Sequence, residues 1–220
     1  MTDTDPIFGF YGKLPARGDF VRAGLPRGFT DPWDDWLRVV IAGSQGLMGG
    51  AWLPAYLEAP VWRFALPTGL CGALPAVGLI LPSVDKAGRY FPLTFAALCD
   101  ADDGIDAWLD ACEDAGLAAL EQDAAPEAIG EMLDRAKTAL RQRDRPPGLP
   151  AESIWWTDGS PRVPASRLTL RGLPDVSTYT SMLGGTSTLG GTSMLGGGAD
   201  TDPTPAETGP REEASWESPS

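Results

Sequence analysis

Histidine is absent from this 220-residue chain, and its absence removes several kinds of chemistry at once. Ser-His-Asp and Cys-His catalysis both need an imidazole to activate the nucleophile, and histidine is a common nitrogen ligand of zinc. Catalysis by carboxylates or lysine remains open. The composition nevertheless favours a protein that is not an enzyme and that needs neither a cofactor nor a metal.

Basic residues are scarce as well: 17 Lys and Arg stand against 30 Asp and Glu, for a formal net charge of −13. Binding to duplex nucleic acid usually needs a clustered basic surface, so we expect no nucleic-acid partner. Anionic membrane surfaces would repel such a chain. The most apolar stretch, residues 69–82, is broken by Pro75 and is too short to cross a bilayer, so direct membrane insertion is not expected either.

Cysteine is limited to three residues, and a signal peptide is not apparent. Cys71, Cys99 and Cys112 form an odd, widely spaced set that fits reduced thiols better than a disulfide framework. The first residues lack the basic and apolar segments typical of secretion signals. These features together predict a cytoplasmic protein.

The apolar patterns predict an α+β domain over residues 1–175, with helices packed against a largely antiparallel sheet of five to six strands. The expected order is β-α-β-β-β-α-α-β. We expect the first helix to begin near Thr30 or Asp31, with Asp31 as a candidate N-cap, Pro32 at the first helical position, and glycines 43–50 at its end. The expected strands are residues 7–11, 61–66, 76–81, 91–98, 153–157 and 167–171, and the later helices are residues 103–122 and 126–143.

The last part of the chain has a different composition. Three tandem copies of T-S-x-L-G-G occupy residues 180–197, and the remaining residues are rich in Pro, Glu, Ser and Thr. Such sequences bury too little apolar surface to offset the entropy of ordering the chain. We therefore predict a disordered tail over residues 176–220.

Two charged loops are the most informative feature. They are G-K-L-P-A-R-G-D-F at residues 12–20 and S-V-D-K-A-G-R-Y-F-P-L at residues 83–93. Because a buried core needs none of their Lys, Arg or Asp, these residues indicate a defined loop geometry or a contact surface. Arginine there could bind the oxygens of an acidic or phosphorylated partner. The candidate partner-binding residues are Lys13, Arg17, Asp19, Arg22, Asp85, Lys86 and Arg89.

A plainer interpretation of the same residues is open. The charges could simply be surface charges, with Asp19 held by a neighbouring arginine and Arg89 paired with Asp85 or Asp19. Neither loop contains a candidate catalytic residue, since Ser83 and Lys86 form a poor Ser-Lys dyad in a segment that is not helical.

Five segments resemble the TagF (ImpM) family of proteins associated with type VI secretion. They are GFYGKLPARGDFVR at residues 9–22, WxxWL at 33–37, APVWRF at 59–64, LPSVDKAGRYFPLT at 81–94, and SIWWT at 153–157. They occur in the family's order and span most of residues 7–175. The tail repeats lie outside the resemblance.

The resemblance implies a cytoplasmic, non-catalytic regulator that represses assembly or firing of the type VI secretion system after translation. It also implies a forkhead-associated scaffold protein, or another component of the system, as the partner. A longin- or profilin-like fold is compatible with the order of elements. The alternative function is a structural adaptor of the secretion apparatus without repressor activity.

Overall fold

A single antiparallel sheet organises the chain, which is described here from a computed structural model covering residues 6–99, 105–121, 126–136 and 152–185. The strands are β1 (Ile7–Gly12), β2 (Val21–Ala23), β3 (Trp62–Leu66), β4 (Ala76–Leu81), β5 (Leu93–Leu98), β6 (Ser153–Thr157) and β7 (Ser166–Leu170). The helices are α1 (Arg27–Met48), α2 (Trp52–Leu57), α3 (Ile105–Glu121), α4 (Pro126–Ala136) and α5 (Val176–Met182). The strand order across the sheet is β2-β1-β5-β4-β3-β6-β7, and every neighbouring pair is antiparallel.

Helices cover both faces of the sheet. Side chains of α1, α2 and α5 share one hydrophobic cluster with Ile80 and Ala96, whereas α3 and α4 share a second cluster with Leu79 and Phe95. Because successive strand residues point to opposite faces, β4 and β5 are buried along their whole lengths. Within the described residues, none of the helices combines the length and apolarity needed to cross a membrane.

The predicted α+β class and the antiparallel sheet are confirmed. β3, β4 and β5 are consecutive neighbours, as expected from connections too short to hold crossover helices. The sheet has one strand more than predicted, because β2 contains only three residues and its sequence shows no alternation long enough to detect. The predicted helix over residues 103–122 corresponds to α3, on which Trp108, Leu109 and Cys112 are buried at helical spacing.

The predicted start of the first helix is wrong. α1 begins at Arg27, four residues before Asp31, and Pro32 lies inside it. Phe29 is buried one turn before Trp33, and their rings stack at a centroid distance of 5.5 Å, so the apolar stripe extends toward the N-terminus. The packing of this extra turn outweighs the preference of Asp31 and Pro32 for the start of a helix.

The predicted end of that helix is also too early, because α1 continues through Gly43 to Met48. A Cβ atom at Gly43 would lie 2.5 Å from Val176 Cγ1, so this glycine permits close contact between α1 and α5. Gly43 therefore lies where α1 and α5 cross and does not end the helix.

Helix α5 corrects the predicted boundary of the tail. It lies in the segment expected to be disordered, yet Tyr179 and Met182 are buried. Trp36 Nε1 donates to Pro174 O at 2.7 Å and Trp62 Nε1 donates to Met182 O at 3.0 Å. The folded part therefore continues past residue 175 and includes the first T-S-M-L-G-G copy. The predictions for residues 137–143 and 186–220 lie outside the described residues.

Candidate functional site

The two charged loops leave the same end of the sheet. The first loop (residues 13–20) follows β1, and the second loop (residues 82–92) follows β4; we call them the loop pair. β5 lies between β1 and β4 and runs antiparallel to both of them. The C-terminal ends of β1 and β4 therefore lie at the same end of the sheet. A Cβ atom at Gly12, whose φ is +146°, would lie 2.2 Å from Pro92 O. The glycine thus allows the loops to approach closely.

A buried ion pair joins the two loops. Lys13 Nζ lies 2.7 Å from Asp85 Oδ2, and the two side chains are 6% and 0% exposed. Each charge would be costly to bury alone, so each depends on the other. The pair therefore fastens the first loop to the second.

Asp85 is held by donors on both carboxylate oxygens. Oδ1 accepts hydrogen bonds from the backbone N–H groups of Ala87 and Arg89, both at 2.9 Å. Oδ2 accepts from Arg89 Nε at 2.7 Å in addition to Lys13. Burial alone would raise the pKa of Asp85, but the hydrogen bonds from Lys13 and Arg89 outweigh it and hold the pKa well below its ordinary value.

Backbone contacts add further links between the loops. Ser83 Oγ donates to Lys13 O at 2.7 Å, and Lys86 N donates to Arg17 O at 3.0 Å. The Arg89 guanidinium donates to Gly18 O. Contacts along the whole length of both loops make the loop pair one structural unit.

The remaining charged residues of the loop pair face solvent, as does Arg22 on the adjoining strand β2. Arg17, Asp19, Arg22, Lys86 and Arg89 are all exposed. Arg17 Nη2 lies 3.7 Å from Glu127 Oε2 on α4, in a contact between two largely exposed side chains. Such a pair contributes little to stability and leaves the guanidinium accessible. We refer to these five residues as the charged rim.

Aromatic rings support the rim from one side. Phe20, at the end of the first loop, stacks on Tyr11 with 5.5 Å between ring centroids and meets Phe91 edge-on at 4.8 Å. Lys13 Nζ lies 5.1 Å from the centre of the Phe20 ring. The buried cation therefore contacts both Asp85 and the aromatic cluster.

Comparison with known proteins identifies the family. A sequence-family model for the TagF N-terminal domain, described as type VI secretion system-associated, matches residues 9–136 and so includes both loops. This chain belongs to the TagF family. The crystal structure of PA0076 from Pseudomonas aeruginosa PAO1 is also similar, with 36% sequence identity and a TM-score of 0.73. The similarity covers 88% of this chain and 100% of PA0076. No curated protein matches.

The structure separates the seven predicted site residues of this TagF-family chain into two groups. It brings both loops together, and Arg89 pairs with Asp85, which is one of the two pairings that the sequence left open. Lys13 and Asp85, which were expected in a contact surface, are instead buried against each other. They determine the arrangement of the rim without being accessible to a partner.

Sequence reasoning missed the aromatic part of the site. The sequence pattern presents Phe20 only as an apolar neighbour of the charges, whereas its ring is 40% exposed between Tyr11 and Phe91. The signal available in the sequence was the aromatic residue itself, directly after Gly18 and Asp19 in a turn.

The described residues offer few groups for catalysis. Burial raises the pKa of the Cys71 thiol to about 12 and raises the pKa of Cys112 further, so both thiols stay protonated at neutral pH. Within the described ranges, no group of three or more His, Cys, Asp or Glu could hold a metal ion. A cavity of about 20 Å³ beside Tyr56, Trp62 and Met182 has room for roughly one water molecule.

Proposed function

We propose that this TagF-family chain is a non-catalytic regulator that represses assembly or activity of the type VI secretion system by protein–protein interaction. Its partner in this proposal is a forkhead-associated scaffold protein of the same system, and the binding surface is the charged rim. Family membership supports the link to type VI secretion. The observation that carries the surface is the buried Lys13–Asp85 pair, which holds both loops in one arrangement.

A fastened loop pair suits binding for an energetic reason. Association costs less when the contacting residues are already ordered, because fewer rotamers and backbone conformations are lost. The rim presents Arg17, Arg22, Lys86 and Arg89 against one acid, Asp19, in a chain of net charge −13. This local excess of positive charge favours an acidic or phosphorylated contact on the partner and speeds their encounter.

The charged residues of the loop pair support a role in binding and not in catalysis. The Asp85 carboxylate is saturated by Lys13, Arg89 and two backbone N–H groups, so it is a poor general base. The chain has no histidine to take over that role.

A charge-reversal variant tests the surface. Arg17→Glu combined with Lys86→Glu should abolish capture of the scaffold in a pull-down and leave the thermal unfolding midpoint near that of wild type. Arg89 is left unchanged, because a glutamate there would face Asp85. The matched control is Arg167→Glu with Arg171→Glu, which reverses the same number of positive charges. Arg167 lies on β7 and Arg171 directly follows it, and β7 is the edge strand farthest from β1 and β2. If the Arg17→Glu, Lys86→Glu variant captures the scaffold as well as the control does, the binding surface lies elsewhere.

Deletion of the gene separates the two candidate functions. Loss of a repressor should raise secretion, measured as effector protein in the culture medium, whereas loss of a structural adaptor should stop it. Complementation with the Arg17→Glu, Lys86→Glu variant should then fail to restore repression.

A further inference from the structure

Phe20 is a large aromatic side chain that stays at the surface of the loop pair. Its 40% exposure is accompanied by stacking on Tyr11 and an edge contact with Phe91. Lys13 Nζ adds a cation–π contact at 5.1 Å. The ring is therefore held in one position while much of it faces solvent.

The support under Phe20 is itself fixed. Tyr11 OH donates to the Asp34 carboxylate on α1, and Arg38 Nε binds the same carboxylate at 2.7 Å. Burial and the bond to Asp34 raise the pKa of Tyr11 above its ordinary value. Helix α1 thereby stabilises the ring on which Phe20 stacks.

Arginines lie close to Phe20 in the chain and close to Tyr11, the ring on which Phe20 stacks. Arg17 and Arg22 flank Phe20 in the chain, and Arg22 lies directly opposite Tyr11 in the β1–β2 pair. Arg38 lies beside Asp34 on the neighbouring helix. The nearby acids are Asp19, next to Phe20 in the chain, and Asp34, which is already paired with Arg38. An apolar surface bordered by several arginines is complementary to a segment that carries the opposite charges around an apolar side chain.

We propose that Phe20 is the apolar anchor of the rim and binds a protein segment in which acidic side chains flank an apolar or aromatic one. This inference rests on the proposed function and specifies the chemistry of the partner's contact. Aromatic residues, phenylalanine among them, and arginine are enriched in the cores of protein interfaces, and a few buried aromatic or arginine side chains usually carry most of the binding energy. The acids would pair with Arg17 and Arg22, while the apolar side chain covers the exposed part of the Phe20 ring.

Selection of peptides tests this chemistry without assuming an identified partner. Random dodecapeptides displayed on phage are panned against the full chain, and enriched sequences are synthesised. We expect an apolar residue within two positions of Asp or Glu, and binding to Phe20→Ala weakened at least about tenfold. Failure to enrich any peptide, enrichment of peptides without acids, or equal binding to Phe20→Ala would each overturn the inference.

Two further variants control for folding and for surface apolarity. Arg22→Glu leaves the aromatic cluster in place and should weaken the same peptides at least about tenfold; unchanged affinity would also overturn the inference. Leu117→Ala removes a comparably exposed apolar side chain, 42% exposed, from α3 and should bind the peptides as wild type does. Thermal unfolding of each variant shows whether it is folded.

The scaffold pull-down keeps this inference separate from the proposed function. Capture of the scaffold equally by wild type and Phe20→Ala, together with peptides that ignore Phe20, overturns the inference and leaves the proposed function standing. Peptides that require Phe20, together with a scaffold that wild type does not capture, support the anchor and contradict the proposed partner.

Discussion

Each loop of the pair buries one charged side chain and leaves two exposed. In the first loop Lys13 is buried while Arg17 and Asp19 are exposed; in the second Asp85 is buried while Lys86 and Arg89 are exposed. The same two residue types thus serve two purposes. The position in the loop decides whether a charged residue is buried or exposed. Lys13 directly follows β1, and Asp85 lies in the connection shortly after β4.

The comparison shows why the charges of a loop need to be divided into those that hold it and those that face outward. A buried pair contributes through its mutual dependence, because either charge alone would be poorly solvated. An exposed charge contributes little to stability and remains available for a partner. Changing one lysine in each loop tests this division.

The largest expected effect comes from Lys13→Met, which keeps the length of the side chain but removes its charge. Asp85 would keep only its contacts with Ala87 and Arg89, so we expect a loss of about 3 kcal/mol in the free energy of unfolding, measured by urea denaturation. This loss is at the low end for a buried pair because exposed Arg89 also compensates the carboxylate. Lys86→Met is the matched control and should change stability by less than about 0.5 kcal/mol. Similar losses in the two variants would contradict the division.

A double-mutant cycle sharpens the same point. Asp85→Asn keeps an oxygen for the N–H groups of Ala87 and Arg89 but has no charge to leave unpaired. The combined Lys13→Met, Asp85→Asn variant should therefore be more stable than the sum of the single changes predicts, with a coupling of about 1.5 kcal/mol. Additive losses would mean that Lys13 and Asp85 act independently.

A smaller effect is expected in the pH dependence of stability. Because the pKa of Asp85 is lower in the folded protein than in the unfolded chain, its contribution is present above the unfolded value of about 3.9 and is lost as pH falls below it. The difference in unfolding free energy between wild type and Asp85→Asn should thus shrink by about 1 kcal/mol from pH 5 to pH 3. Lys13 and Arg89 are the charged side chains that face Asp85. A difference that stays constant or grows on acidification would contradict this assignment, and Asp19→Asn provides the exposed control.

The fold was predictable where the periodicity is strong and the element long. The helix α3 follows from the helical spacing of its apolar residues, and the strands β4 and β5 follow from short apolar runs next to prolines. α5 was not predictable, because its T-S-M-L sequence has the composition of a flexible segment. Its position depends on indole bonds from Trp36 and Trp62, which are more than a hundred residues away.

The candidate site was predictable in part for a similar reason. The composition of the two loops indicated a shared role, but the burial of Lys13 and Asp85 depends on contact across 72 positions of sequence. That contact requires β5 to lie between β1 and β4, and this strand order could not be predicted from the sequence pattern. The exposure of Phe20 likewise depends on where Tyr11 and Phe91 place their rings.

Hydrogen–deuterium exchange of wild type and Lys13→Met tests most directly whether the buried pair fastens one loop to the other. The amides of Lys86, Ala87 and Arg89 bond to Arg17 O or to Asp85, so they should exchange slowly in wild type. A change confined to the first loop should accelerate exchange in the second loop, while β4 and β5 keep their protection. Unchanged exchange over residues 83–92 in a folded Lys13→Met variant would contradict the account.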